Sequence, residues 1–363
     1  MSIIPVYNPP DFRSVELAGA PVVKTEPAPC DGVAPENFHA TSNHPEYLHL
    51  GKGKWLLVED SRMDAVLVLR DGLATAVEPR RLKTGEPVVV GRTEDGEEGI
   101  FVHPGGFSPP ATQVEEKFTF RSRGTRETPF SRSYDELYQV LRHDRVKGHI
   151  VWVLGPAVAF DKDSRSAMQG LIESGYCHAL LAGNALAAHD LEAALFRTGL
   201  GQDIYTQALA PHGHYNHLEV INKVRLFGSI TKTIAALGLK DGIIQACERK
   251  QVPYVLAGSI RDDGPLPEVI SDVCQAQDAM RIHARQATLV ISVATQLHSI
   301  AFGNMLPGYK VLENGEVRPV FFYIVDMSEF GADKLVNRGS AQAVAILTNA
   351  QDFMVNLWNN LKD

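Results

Sequence analysis

Six short apolar runs in the last two thirds of the chain constrain its fold most strongly. They are HIVWVLG (149–155), HALLAG (178–183), VPYVLAG (252–258), ATLVISV (287–293), VFFYIVD (320–326) and AVAILTN (343–349). Each is apolar along its length rather than alternating, so each reads as a strand buried on both faces. Between them lie helical stretches near 164–175, 188–197, 216–238, 267–284, 331–337 and 350–361. Buried strands alternating with helices predict an α/β fold with a doubly wound, largely parallel sheet. Residues 1–130 read differently. Prolines crowd the start, and KWLLVED, DAVLVLRD and EPVVVGR are strand-like runs bounded by Gly and Asp turns. The expected division is a smaller β-rich domain with a Pro-rich leader and crossover over 1–130, then the α/β domain over 131–363.

Charge and composition remove several classes of function. With 35 Lys and Arg against 43 Asp and Glu, the net charge is -8. Binding a nucleic-acid backbone needs a basic face, so no nucleic-acid partner is expected. No window approaches the roughly 18 apolar residues of a membrane span, and MSIIPVYNPPDF lacks the basic flank and apolar core of a secretory signal. Cys30, Cys177, Cys247 and Cys274 show no paired spacing. Free thiols in a reducing cytoplasm are the expectation.

Polar residues follow four of the strand candidates. Asn184 follows the second, with His189, Asp190 and Glu192 on the helix after it. Ser259, Arg261, Asp262 and Asp263 follow the third; Thr295 and His298 follow the fourth; Asp326 ends the fifth. In a doubly wound sheet these ends share one edge, where a dinucleotide lies. A carboxylate at a strand end, such as Asp326, suits the two ribose hydroxyls. The Gly-x-Gly-x-x-Gly fingerprint is absent, since GLGQDI (199–204) lacks the third glycine and follows no strand. His212, His214 and His217 in APHGHYNHLEVIN have a spacing open to metal ligation, to substrate or cofactor contact, or to no ligand at all.

GNALAAHDLEAALF, GHYNHLEVIN, VPYVLAGSIRDDGPLPEVI and ATQLHSIAFGNMLP together resemble the NAD-dependent ornithine cyclodeaminases of archaea and cyanobacteria, which carry the LOR/SDH conserved domain. The resemblance spans roughly residues 31 to 361. It implies a Rossmann-like, deoxyhypusine-synthase-like sheet that binds NAD without the glycine fingerprint. The implied activity is that of an ammonia-lyase of proline biosynthesis. Ornithine, or a related basic α-amino acid, becomes proline, or a cyclic imino acid, plus ammonia by transient hydride transfer to bound NAD. The alternative is an NAD-dependent amino-acid dehydrogenase or an amine-transfer synthase sharing that first oxidation. On this reading Asp262, with Asp190 or His217, does acid–base work. Asn184, Gly258, Ser259, Ile260, Asp263, Thr295, His298 and Asp326 hold the cofactor. Thr41, Asn43, His214, Asn222 and Arg261 meet the substrate. No metal is expected, and the family suggests a homodimer or homotetramer.

The chain departs from the family pattern in three places. Phe160-Asp161-Lys162 stands where the family has His-Thr-Gly, Gln245-Ala246 replaces Tyr-Glu, and Met327-Ser328-Glu329 follows Asp326 where Ile-Asn-Pro is usual. If a carboxylate at 246 normally faces the side-chain ammonium of ornithine, Ala246 weakens that contact.

Overall fold

The computed structural model describes residues 4–108, 131–262, 264–328 and 343–362. Asp263, Glu329 and the helix expected near 331–337 lie outside the described residues. Contacts divide the chain into two compact units.

The first unit is built from short antiparallel strands. Lys24–Pro27, Pro87–Val90, Val66–Arg70 and Leu73–Val77 form one sheet in that order, and Trp55–Leu57, Glu46–His49 and Ile100–Val102 form another. Leu48 and Ile100 from the second sheet pack with Leu67 and Val89 from the first in one buried cluster. This matches the β-rich reading, but a single boundary near 130 misses a later return. Gly303–Val320 also belongs to this unit. That segment contains a small hairpin, Tyr309–Val311 with Val317–Pro319, and the buried Tyr309 hydroxyl donates to the Val58 carbonyl. Tertiary contact, not local pattern, assigns the segment.

The second unit carries the six expected strands: β1 (Ile150–Leu154), β2 (Ala179–Gly183), β3 (Tyr254–Ala257), β4 (Leu289–Val293), β5 (Phe321–Asp326) and β6 (Ala343–Leu347). They pair in the order β3-β2-β1-β4-β5-β6, parallel throughout, which is the order of dinucleotide-binding sheets. Helices cover the sheet, so β1 and β4 are buried at every position. Trp152 at the centre of β1 is fully buried, and its indole N–H is satisfied by the Tyr176 carbonyl at 2.8 Å.

Besides the four-residue helix Val15–Ala18, the α-helices among the described residues are α1 (Ser131–Lys147), α2 (Lys162–Glu173), α3 (Asn184–Phe196), α4 (His214–Phe227), α5 (Ile230–Leu237), α6 (Ile243–Lys250), α7 (Val273–Gln286), α8 (Gln296–Met305) and α9 (Ala350–Leu361). Helices α6 and α8 fall outside the expected stretches, and two of those stretches differ in their bounds. The stretch 216–238 is broken where Gly228 takes φ 81° and Ser229 caps α5 by accepting from the Lys232 N–H. The helix expected from 267 starts six residues later, because Ile270 pairs with the chain beside β3. Gly258 donates to the Ile270 carbonyl and Ile270 to Leu256, both at 2.9 Å, and Asp272 then caps α7.

Several histidines make stability depend on pH. His178 accepts the Ile150 N–H at its Nδ1 atom, at 2.8 Å, and burial holds its pKa below the ordinary value. Burial does the same for His283. The unfolded chain takes up these protons near the ordinary imidazole value of about 6.5. Stability is therefore fully present above that pH and falls as the pH drops below it. The urea midpoint should be lower at pH 5.5 than at pH 7.5. His178→Asn keeps an acceptor for Ile150 and should narrow the difference; an unchanged difference would remove His178 from this account.

Candidate active site

The strand order reverses between β1 and β4, and their carboxyl ends are tied together there. Gly155 donates to the Val293 carbonyl and Ala294 to the Val325 carbonyl, each at 2.9 Å. A Cβ on Gly155 would lie 1.9 Å from the Ala294 carbonyl oxygen, so only glycine fits. Ala294 itself takes φ 53°, a left-handed conformation costly for alanine. Such strain concentrates where a fold serves a ligand. Sequence reasoning passed over both residues; the signal was a lone glycine directly after an apolar strand. This crevice suits a dinucleotide, because its bare backbone admits close approach and Asp326 ends the neighbouring strand. Asp326 is partly exposed, with one carboxylate oxygen accepting the Ser328 N–H at 2.8 Å.

The other strand-end residues converge on the same edge. Asn184 opens α3, is 3% exposed, and accepts the Leu266 N–H at 3.0 Å, joining the end of β2 to the loop after β3. Asp262 closes a tight turn by accepting the Ser259 N–H at 2.8 Å, while the Ser259 hydroxyl accepts the Arg261 N–H at 3.2 Å. Ser259, Ile260 and Arg261 are exposed on that turn. Gly258, just before it, donates its N–H to Ile270. His298 lies 3.2 Å from the Thr295 hydroxyl, and its ring edge would come within 3.0 Å of a Cβ on Gly183. Burial pushes its imidazole below the ordinary pKa, and the Asp262 carboxylate pulls the other way. Asp262, Thr295, His298 and the end of β2 thus form one neighbourhood.

Asp190 does not join them. It is 1% exposed and forms a 2.6 Å ion pair with Arg165, itself 3% exposed. It also accepts the Ile243 and Ile244 N–H groups at the start of α6, at 3.0 and 2.8 Å. With both oxygens occupied by the fold, the acid–base role expected of Asp190 is replaced by a structural one. Thr41 and Asn43, expected to meet substrate, are engaged within the first unit. Thr41 donates to the Arg62 carbonyl and accepts the Ala65 N–H, and Asn43 accepts the Met63 N–H. His214 and Asn222 are exposed on α4, apart from the polar groups its buried side meets. Ala246 is fully buried in α6, where its methyl group meets protein rather than solvent.

The histidine spacing in the sequence also resolves differently. His212 and His214 are exposed, whereas His217 stacks on His189 with ring centroids 4.7 Å apart at 23°. Phe160 packs edge-on against His189 at 4.9 Å. Glu192 is fully buried and accepts from His189 Nδ1 at 2.9 Å and from the Thr198 hydroxyl at 2.8 Å. Burial raises the Glu192 pKa, but hydrogen bonds from His189, Thr198 and Gly201 outweigh it and bring the carboxyl below its ordinary value. The ligand atoms of His189, Glu192 and His217 lie within 4.8 Å of one another. A tetrahedral cation with bonds of about 2.1 Å holds its ligands about 3.4 Å apart. The trio could take a cation, and without one Glu192 and His189 satisfy each other.

Among the described residues, no helix is long and apolar enough to cross a membrane. The family described as arginine dihydrolase ArgZ-like, C-terminal, Rossmann fold, matches residues 135–357. An ornithine cyclodeaminase of Archaeoglobus fulgidus is 40% identical over 356 residues, covering 98% of this chain and 80% of that protein. The bifunctional arginine dihydrolase/ornithine cyclodeaminase AgrE of Nostoc is 33% identical over 91% of this chain and 45% of its own length. Among solved structures, a conserved LOR/SDH protein of Methanococcus maripaludis superposes with a TM-score of 0.84 at 33% identity, over 94% of this chain and 98% of that one. AgrE in ternary complex with ornithine and NAD+ gives 0.59 at 32% identity, over 95% of this chain and 46% of that one. Matched along nearly its whole length by sequence and across its parallel sheet by family, the chain belongs to the ornithine cyclodeaminase family.

Proposed function

We propose that this chain converts ornithine to proline and ammonia with NAD as a regenerated cofactor. The observation that carries the reading is the bare-backbone pass of Gly155 against Ala294 at the strand-order reversal, with Asp326 ending the next strand. Asp326 is the ligand for the ribose hydroxyls, and Thr295 and His298 line the adjoining strand end. Held by these residues, NAD would supply reversible hydride chemistry at the α-carbon of the amino acid, so that the cofactor is regenerated. Asp262 accepts the proton that the α-amine loses as the imine forms, its turn held by the Ser259 N–H. Arg261 on the same turn is the candidate for the substrate carboxylate. The δ-amine then closes on the imine carbon and ammonia leaves, with His217 as the candidate to carry its proton.

The relatives support this reading by name, and the AgrE complex supports it by the two molecules it holds. A homodimer or homotetramer is the expected assembly, and exposed apolar side chains at Leu209, Leu218 and Leu226 support burial against another copy. A cytoplasmic setting fits four free cysteines.

Purified protein given ornithine and substoichiometric NAD+ should yield proline and ammonia in equal amounts by mass spectrometry, with no net NADH. NADH accumulating in step with product would make the chain an amino-acid dehydrogenase instead. Dependence on a second amine would make it an amine-transfer synthase.

A further inference from the structure

Four side chains that the reaction itself leaves unused form a continuous path to His217. His189 and Glu192 lie one turn apart on α3, and the fully buried Glu192 carboxylate has both oxygens engaged. One accepts from His189 Nδ1 at 2.9 Å. The other accepts from the Thr198 hydroxyl at 2.8 Å and the Gly201 N–H at 3.3 Å. Thr198 in turn accepts from the Asn216 side-chain amide at 2.9 Å, and Asn216 immediately precedes His217 on α4. The backbone joins in, since a Cβ on Gly213, just before α4, would lie 2.2 Å from the Gly201 carbonyl oxygen. Glu192 therefore organises both the turn at 198–201 and the start of the helix that presents His217.

A carboxylate can only accept, so His189 donates from Nδ1, and that bond fixes the orientation of its ring. The ring so fixed, with Phe160 edge-on against it, is the surface on which the His217 ring stacks. We propose that Glu192 and His189 are positioning residues that hold the His217 imidazole in one orientation beside the Glu192 carboxylate for proton transfer. This rests on the proposed role of His217. Among the described residues, Glu192 and His189 from α3 face His217, and His214 precedes it by one turn on α4.

The test compares the natural protein with Glu192→Gln and His189→Gln, using ornithine kinetics, NAD affinity, melting temperature and the NMR titration of the His217 ring. Removing an acid–base group outright costs about 10²- to 10⁴-fold. Removing its support should cost less, with kcat down at least about tenfold, KM and NAD affinity within about twofold, and the His217 titration moved to lower pH in Glu192→Gln. A His217 titration that stays in place, or a kcat loss that merely tracks a loss of melting temperature, would overturn the proposal. So would a stoichiometric zinc in the purified protein that Glu192→Gln no longer holds, because the trio would then be a metal centre. The NMR arm needs no turnover. An inactive natural protein with a shifted His217 titration in the variant would defeat the proposed function and leave the positioning intact.

Discussion

Asp262→Asn should lower turnover of the amino acid by about 10²- to 10⁴-fold, the usual loss on removing a positioned acid–base group. NAD affinity should hardly change. The asparagine is informative because its side-chain oxygen can still accept the Ser259 N–H that Asp262 accepts at 2.8 Å, so the turn survives while the base is lost. The neighbouring His298 provides a second readout. Asp262 is the charge that raises the His298 pKa against burial, so the variant should drive its titration lower still. Asp326→Ala should act the other way, weakening NAD first and changing turnover at saturating NAD much less, because Asp326 ends the strand beside the crevice. Isothermal titration with NAD+ and steady-state kinetics on ornithine separate the two. If Asp262→Asn alters only NAD affinity, the assigned roles are reversed.

Asp190→Ala should cost about 3 kcal/mol of folding stability, the lower end of the ~3–5 kcal/mol for removing one partner of a buried ion pair. The low end applies because Arg165 keeps Asp241 as a second partner at 3.0 Å, with that carboxylate 60% exposed. Three losses coincide: Arg165 stays buried with less compensation, and the Ile243 and Ile244 N–H groups at the start of α6 lose their acceptor. In a domain of this size the melting temperature should fall by roughly 6–12 °C. Asp190→Asn should lie between, since it keeps an acceptor for the helix but not the charge. Differential scanning calorimetry measures both. Variants that melt like the natural protein yet fail to turn over substrate would return Asp190 to the catalytic group.

The two carboxylates show where sequence reading stops. Both come after parallel strands, Asp262 in a Gly- and Pro-bounded turn (SIRDDGP) and Asp190 within an Ala- and Leu-rich helix (AAHDLEAA), and neither context names the partner the carboxylate meets. Asp262 sits in a surface turn of four residues, whose hydrogen bonds are local and nearly readable from SIRD itself. Asp190 meets Arg165 from 25 positions away and the start of α6 from more than 50 positions away. No local signal encodes such a meeting. The same limit applies to His217, which the spacing groups with His212 and His214 but the packing of α4 on α3 pairs with His189 and Glu192.

The sequence by itself determined the strands and their parallel sheet. A run buried on both faces needs only its own apolar residues to declare itself, and alternation with helices then dictates parallel pairing. It also determined that the strand ends would be polar, and that a glycine fingerprint would not be the means of holding a dinucleotide. Tertiary structure alone decided which polar groups remained available. Each buried charge takes whatever partner lies within about 3 Å, and those partners come from elements remote in sequence. Packing also decided that Gly155 has no room for a side chain against Ala294, and that Gly303–Val320 returns to the first unit. Close approach between backbones far apart in sequence is a property of the assembled sheet: a glycine after an apolar strand marks the position but not the backbone it meets.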